Sequence, residues 1–125
     1  MKYEALYNLT LEQGGATVRI ADYPEQMVMP TKGFAVGNRS EAIVSDKNSD
    51  DIKERFDTAV ERLLPWAKEI DVDYLGTWVD GDLIHVEPVD VFASKDFALG
   101  VAFARGEDAI YSLADQKEIR MQAKG

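Results

Sequence analysis

The side chains best suited to chemistry lie within one short stretch of the chain. His85, the only histidine of the sequence, comes two positions before Glu87, and alternate residues of an extended strand share a face. A histidine beside a carboxylate suits general acid–base catalysis. We interpret this histidine as part of a candidate ligand or partner face; the simpler alternative is a half-exposed histidine packed over aromatic rings. The candidate face comprises Tyr74, Trp78, His85 and Glu87.

No other pattern predicts a reaction centre. The absence of cysteine excludes thiolate nucleophiles and cysteine-ligated metals. The segment from Asp46 to Asp57 resembles a calcium-binding loop, but Asp51 stands at its sixth position, where the turn requires glycine, and its twelfth residue is not glutamate. Phosphate-loop, dinucleotide-binding and serine-hydrolase motifs are missing. We expect no catalytic residue, no metal and no cofactor, and we favour a non-enzyme over an enzyme.

The chain is strongly acidic, with a formal net charge of −9 at pH 7. Lys68 and Lys95 enclose a stretch that contains no lysine or arginine. Such a charge repels nucleic acid and anionic lipid, so direct nucleic-acid binding is disfavoured. The acids fit a partner protein with a basic surface, where they would imitate phosphate charge; the alternative is that they only keep the protein in solution. The candidate acidic partner surface comprises Asp71, Asp73, Asp80, Asp82 and Asp90.

Composition and length predict a cytoplasmic protein made of one domain. The 125 residues suit a single domain spanning 1–125. The first residues lack the apolar run of a signal peptide, and no stretch approaches the roughly 20 apolar residues that cross a bilayer. We therefore expect no membrane association.

In the N-terminal half, the pattern favours strands followed by one helix. Alternation predicts strands at 3–11 and 16–21, joined as a hairpin by a glycine turn. Two prolines predict a loop at 22–32, and short strands follow at 33–37 and 41–45. Apolar residues at spacings of three and four predict a helix from Ile52 to Leu64. We expect Asn48 and Ser49 to cap this helix and Pro65 to end or kink it.

The element that the sequence predicts most clearly is a hairpin around Asp80-Gly81. This dipeptide between two β-rich runs predicts a two-residue type I′ turn, which would place Val79 opposite Asp82 and Trp78 opposite Leu83. One face of the hairpin then carries Tyr74, Trp78, Leu83, His85 and Glu87. The other face is more apolar and is the predicted core side; it carries Leu75, Thr77, Val79, Ile84 and Val86.

The remaining segments complete an α+β fold. We expect Pro88 to close the second hairpin strand, with an edge strand running on at 89–93, where a proline start is tolerated. Ser94 and Gly106 are suited to begin and end a second helix, and final strands are predicted at 109–113 and 117–121. Together these elements predict an antiparallel or mixed curved sheet of about six to eight short strands with two helices packed on one face.

The C-terminal half resembles a group of small acidic proteins of actinobacterial phages, plasmids and genomes. The resemblance rests on a hairpin with Gly76-Thr-Trp78, an alanine-rich helix that ends at Gly106, and a strand that reads Ala109-Ile-Tyr-Ser-Leu113. Ser112 departs from the pattern, which has aspartate there. The resemblance implies a mobile-element or accessory role and carries no known activity.

Three hypotheses for function follow. The first is a non-enzymatic accessory protein that binds another protein through its acidic surface. The second is a small-molecule-binding protein, or a weak enzyme, that uses the face of Trp78, His85 and Glu87. The third is a structural homo-oligomer joined through sheet edges.

Overall fold

The computed structural model describes residues 1–38 and 41–121. Within these ranges the chain forms three helices and seven strands. In chain order they are α1 (Glu4–Gln13), β1 (Gly15–Arg19), β2 (Phe34–Gly37), β3 (Ile43–Asp46), α2 (Ile52–Glu69), β4 (Tyr74–Asp80), β5 (Leu83–Phe92), α3 (Lys95–Arg105), β6 (Ala109–Ser112) and β7 (Lys117–Arg120). Residues 39–40 and 122–125 lie outside the described residues.

All seven strands belong to one antiparallel sheet. Its order is β1-β4-β5-β2-β6-β7, and β3 pairs with β5 beside β2. The sheet is curved and not closed, which confirms the predicted α+β class. The described residues contain three helices, where the sequence predicts two.

The three helices pack on one face of the sheet, called here the helix face. Its residues on the central hairpin are Leu75, Thr77, Val79, Ile84 and Val86. The main core forms where α1 and α2 meet this face, around Phe56, Leu6, Val60 and Leu75, each at most 1% exposed. A second cluster forms where Ala98 and Ala102 of α3 cover the far end of the sheet. The predicted core side of the hairpin is confirmed.

Residues 4–13 form a helix, so the strand predicted at 3–11 is wrong. Tyr3, Leu6, Tyr7 and Thr10 are buried at spacings of three and four, which is the period of a helix. Gly14 ends the helix with a φ of 80° and donates its N–H to the Thr10 carbonyl. Since no strand precedes β1, the predicted first hairpin is also absent, and β1 pairs with β4 instead.

Helix α2 runs through Pro65 to Glu69. Of the two outcomes predicted for Pro65, an end of the helix is therefore wrong. The buried side of the helix continues past the proline with Ala67, which is fully buried, and this packing offsets the lost hydrogen bond. The expected cap at Asn48 or Ser49 is also wrong. The helix begins after Asp51, whose carboxylate makes no cap hydrogen bond and instead accepts from Arg55 at 2.8 Å.

The hairpin has the predicted faces but a different register. Asp80 pairs with Leu83 and Trp78 pairs with His85, so the loop is Gly81-Asp82. Gly81 has a positive φ of 58° and Asp82 does not, which excludes a type I′ turn. Because both ends of the loop move by one residue, the parity of each strand is kept and the faces are unchanged.

Pro88 lies inside β5 and does not close it, contrary to the prediction. One edge of β5 pairs with β3 through Leu83–Val86 and with β2 through Val89–Phe92. Pro88 therefore stands at the gap between these two strands. Since the closing pair of a two-residue hairpin exchanges hydrogen bonds, even-numbered residues of β5 point their N–H groups away from β4. The donor that proline lacks would point into this gap, so the ladder loses nothing.

The C-terminal elements agree with the sequence. The Ser94 hydroxyl caps α3 by accepting the Phe97 N–H at 3.2 Å. Gly106 ends this helix in the left-handed conformation, with a φ of 71°. The strands predicted at 109–113 and 117–121 are β6 and β7.

Candidate functional site

The face of the sheet opposite the helices is called here the open face. On the central hairpin it carries Tyr74, Gly76, Trp78, His85 and Glu87, which alternate with the buried residues of the helix face. The hairpin therefore presents one side to the core and the other to a space that the three described helices leave uncovered.

That space is a cavity of about 790 Å³. Thr17 of β1 lines it from one edge of the sheet, and Glu118 and Arg120 of β7 line it from the other. Since β1 and β7 stand at opposite ends of the strand order, the sheet must curl toward its open face. Met29 and Pro30 of the loop between β1 and β2 also border the cavity. The curl converts a flat strand surface into a pocket.

Trp78 and His85 form a cross-strand pair on the cavity wall. Side chains of directly opposed residues lie close together in an antiparallel pair, so the imidazole stands beside the indole. The His85 Nε2 atom is buried and has no hydrogen-bond partner among the described residues. A buried polar atom without a partner costs about 1–3 kcal/mol, and because this atom has almost no accessible surface, it does not itself face the cavity.

Glu87 lies on the same wall, two residues beyond His85, and two glycines make room for it. Gly76 is directly opposite Glu87 on β4. A Cβ atom at Gly37 would overlap the Glu87 carboxylate, so that carboxylate lies against the bare backbone of β2. A Cβ atom at Gly76 would overlap Val89. Missing side chains at these positions therefore hold the cavity open.

The charged side chains of the described lining are predominantly acidic. Their charged members are five carboxylates and one guanidinium: Asp80, Glu87, Glu107, Asp108, Glu118 and Arg120. The Glu118 carboxylate accepts from Arg120 Nε at 2.8 Å. Tyr111 and Trp78 supply aromatic surface on strands that β5 and β2 separate. The cavity thus combines aromatic walls with a negative charge.

Three of the four residues of the predicted candidate face meet in this cavity. Tyr74 shares the open face but is not part of the lining. It packs instead with Val91 and Tyr111 around Val89 and Leu113. This small apolar cluster fills one end of the open face.

The five predicted acidic residues lie at three places on the sheet. Asp71 and Asp73 precede β4, whereas Asp80 ends β4 and Asp82 lies in the turn that follows. The seven positions from Asp73 to Asp80 correspond to about 23 Å of extended chain. Asp90 points to the helix face, where it forms an ion pair with Arg105 of α3.

Within the described residues, no group of three or more His, Asp or Glu side chains is arranged to hold a metal ion. None of the described helices is both long enough and apolar enough to cross a membrane.

Comparisons with models of protein families, with curated proteins and with solved structures find no match to this chain. The sequence interpretation missed Gly15, Gly37 and Gly76 as residues of the site. A signal was present, because a glycine within a β-rich run often marks a close approach of another group. It also missed Tyr111 and Arg120, because only the strand order brings β6 and β7 to the cavity.

Proposed function

We propose that this protein binds a small organic molecule in the cavity on the open face of its sheet. The observation that carries the proposal is the cavity of about 790 Å³ in whose wall Trp78, His85 and Glu87 lie together. Ligand cavities are commonly about 300–1,000 Å³, with apolar walls and a few oriented polar groups.

Binding to a basic partner protein, the first hypothesis from the sequence, has less support. Its five acidic residues are divided between the two ends of β4, and Asp90 is already paired with Arg105. A partner would have to reach both ends of the strand to contact all of them. The cavity, in contrast, collects its polar groups at one place.

Tryptophan fluorescence and ligand-observed NMR test the proposal. Trp66→Phe removes the second tryptophan, which lies on α2 and is 38% exposed, and leaves Trp78 as the only reporter. We expect members of a fragment collection of mixed charge to bind this protein and to change the emission of Trp78. The proposal fails if no fragment of any charge binds.

A matched pair of variants locates the binding. Thr17→Phe adds a ring inside the cavity, whereas Thr58→Phe adds the same ring on the exposed side of α2. We expect the first change to weaken fragment binding by about tenfold or more, or about 1.4 kcal/mol, and the second to leave it unchanged. Equal binding to both variants would contradict the cavity as the site. If Thr17→Phe lowers stability, His85→Leu supplies an independent test.

A further inference from the structure

The charge of the cavity restricts the class of ligand that it can hold, provided that it binds a ligand as proposed above. Five carboxylates and one guanidinium among the described lining residues give a formal charge of −4 with His85 neutral. A concave surface with walls of low dielectric focuses the field of such charges. The cavity therefore repels carboxylates and phosphates.

The aromatic lining favours positive charge for a second reason. Trp78 lines the cavity from β4 and Tyr111 lines it from β6. The face of an aromatic ring is electrostatically negative, and it attracts an ammonium group within about 6 Å of the ring centre, tryptophan most strongly. An amine beside Trp78 would meet aromatic surface and would lie in the same cavity as the lining carboxylates.

From the charge and the aromatic lining together, we infer that the ligand is an organic cation: a protonated amine joined to an apolar or aromatic body. The ammonium group lies against Trp78, and the apolar body extends toward Tyr111 and the small cluster around Val89. This ligand class neutralises part of the cavity charge.

Three probes of nearly equal shape test the inference: 2-phenylethylamine, 2-phenylethanol and 3-phenylpropanoate. Their binding to the Trp66→Phe protein is measured at low salt through Trp78 emission and ligand-observed NMR. We expect the amine to bind about tenfold or more tightly than the carboxylate, with the alcohol between them. The preference should shrink as salt screens the field. Equal or tighter binding of the carboxylate or the alcohol would overturn the cationic class while leaving the proposed binding function intact.

If none of the three probes binds, the fragment collection decides the matter. Binders that are mainly anionic or neutral contradict the inference alone, whereas binders that are mainly cationic support it. A collection without any binder overturns the proposed function and, with it, the inference. The two failures are therefore distinguishable.

Two variants separate the charge of the cavity from that of the whole protein. Glu118→Gln and Glu69→Gln each remove one negative charge, the first in the cavity lining and the second on the exposed end of α2. We expect Glu118→Gln to reduce the ratio of amine to carboxylate binding about threefold, within the range of an exposed ion pair. Glu69→Gln should leave that ratio unchanged. An equal reduction in both variants would contradict a ligand class selected by the cavity.

Discussion

The two faces of the β4–β5 hairpin differ in how they use side-chain volume. On the helix face, Leu75, Ile84 and Val86 are at most 1% exposed and pack beneath α1 and α2. On the open face, one residue away along the same strands, Trp78 and His85 border a cavity. A single pair of strands thus supplies both the stability of the fold and the candidate site.

The glycines of the strands follow the same division. Gly15, Gly37 and Gly76 all lie on the open face, where added Cβ atoms would overlap neighbouring atoms. The helix-face positions of these strands carry larger side chains, such as those of Val18 and Val36. The open face is therefore shaped by glycines, which leave space above the sheet, and the helix face is shaped by packed side chains. Substitutions on the two faces should therefore have different consequences.

The largest expected effect belongs to the helix face. Phe56 of α2 is 1% exposed and meets the Tyr7 ring edge-on, with centroids 5.3 Å apart. Phe56→Ala should lower the free energy of unfolding by about 3–5 kcal/mol in denaturant titrations. Phe103→Ala, at a position 73% exposed, should change it by less than about 0.5 kcal/mol. Similar losses in both variants would contradict a core beneath α2.

Alkaline pH should also weaken the helix side. Tyr23 stacks on Tyr3 with centroids 5.7 Å apart, and burial raises the pKa of both phenols above the ordinary value. The two phenols ionise first in the unfolded chain, from about pH 10, because their pKa values are higher in the folded protein. The free energy of unfolding is therefore unaffected by these phenols below pH 10 and falls as the pH rises further. The loss is at most about 1.4 kcal/mol per pH unit for each phenol. Tyr23→Phe should flatten the decline; an unchanged slope would show that Tyr23 does not contribute.

A buried hydroxyl pair provides a finer test of the helix face. Thr10 Oγ1 donates to the Leu6 carbonyl at 2.7 Å and lies 2.6 Å from Thr77 Oγ1. Since a hydroxyl has one proton, Thr77 must be the donor of the second bond. Thr10→Val leaves the buried Thr77 hydroxyl without an acceptor and should lower the free energy of unfolding by about 1–3 kcal/mol. Thr77→Val leaves Thr10 bonded to Leu6 and should cost about 0.5–1.5 kcal/mol; the reverse order would contradict this assignment.

The smallest effect on stability is expected on the open face. His85→Leu removes a buried nitrogen that makes no hydrogen bond, so the free energy of unfolding should stay within about 0.5 kcal/mol or rise. The same change should weaken binding of 2-phenylethylamine to the Trp66→Phe protein. A loss of stability comparable to that of Thr10→Val would make His85 a core residue and remove the contrast between the faces.

The fold was predictable where one local pattern fits one structure. Ser94 and Gly106 bound α3 as expected, and the parity of β4 and β5 identifies the two hairpin faces. Residues 3–11 were not predictable, because apolar side chains recur there at alternate positions as well as at spacings of three and four. The choice depends on what the segment packs against, and α1 buries Leu6 and Thr10 on strands that come much later in the chain.

The candidate site was predictable only within the hairpin. Trp78, His85 and Glu87 share a face by parity alone, and they line the cavity. The contributions of Thr17 and Arg120 depend on the strand order and on the curl of the sheet, which no local pattern contains. The resemblance to proteins of actinobacterial phages and plasmids stays a prediction.

The position of β5 has a consequence for biosynthesis. Its ten residues pair with β4, β3 and β2, so each of these strands lacks its β5 partner until residues 83–92 have left the ribosome. A nascent chain that stops before residue 83 holds β2 and β3 with open edges, which are the parts of a sheet most prone to aggregate. Productive assembly therefore begins late in translation, and C-terminal truncations upstream of β5 should yield insoluble chains.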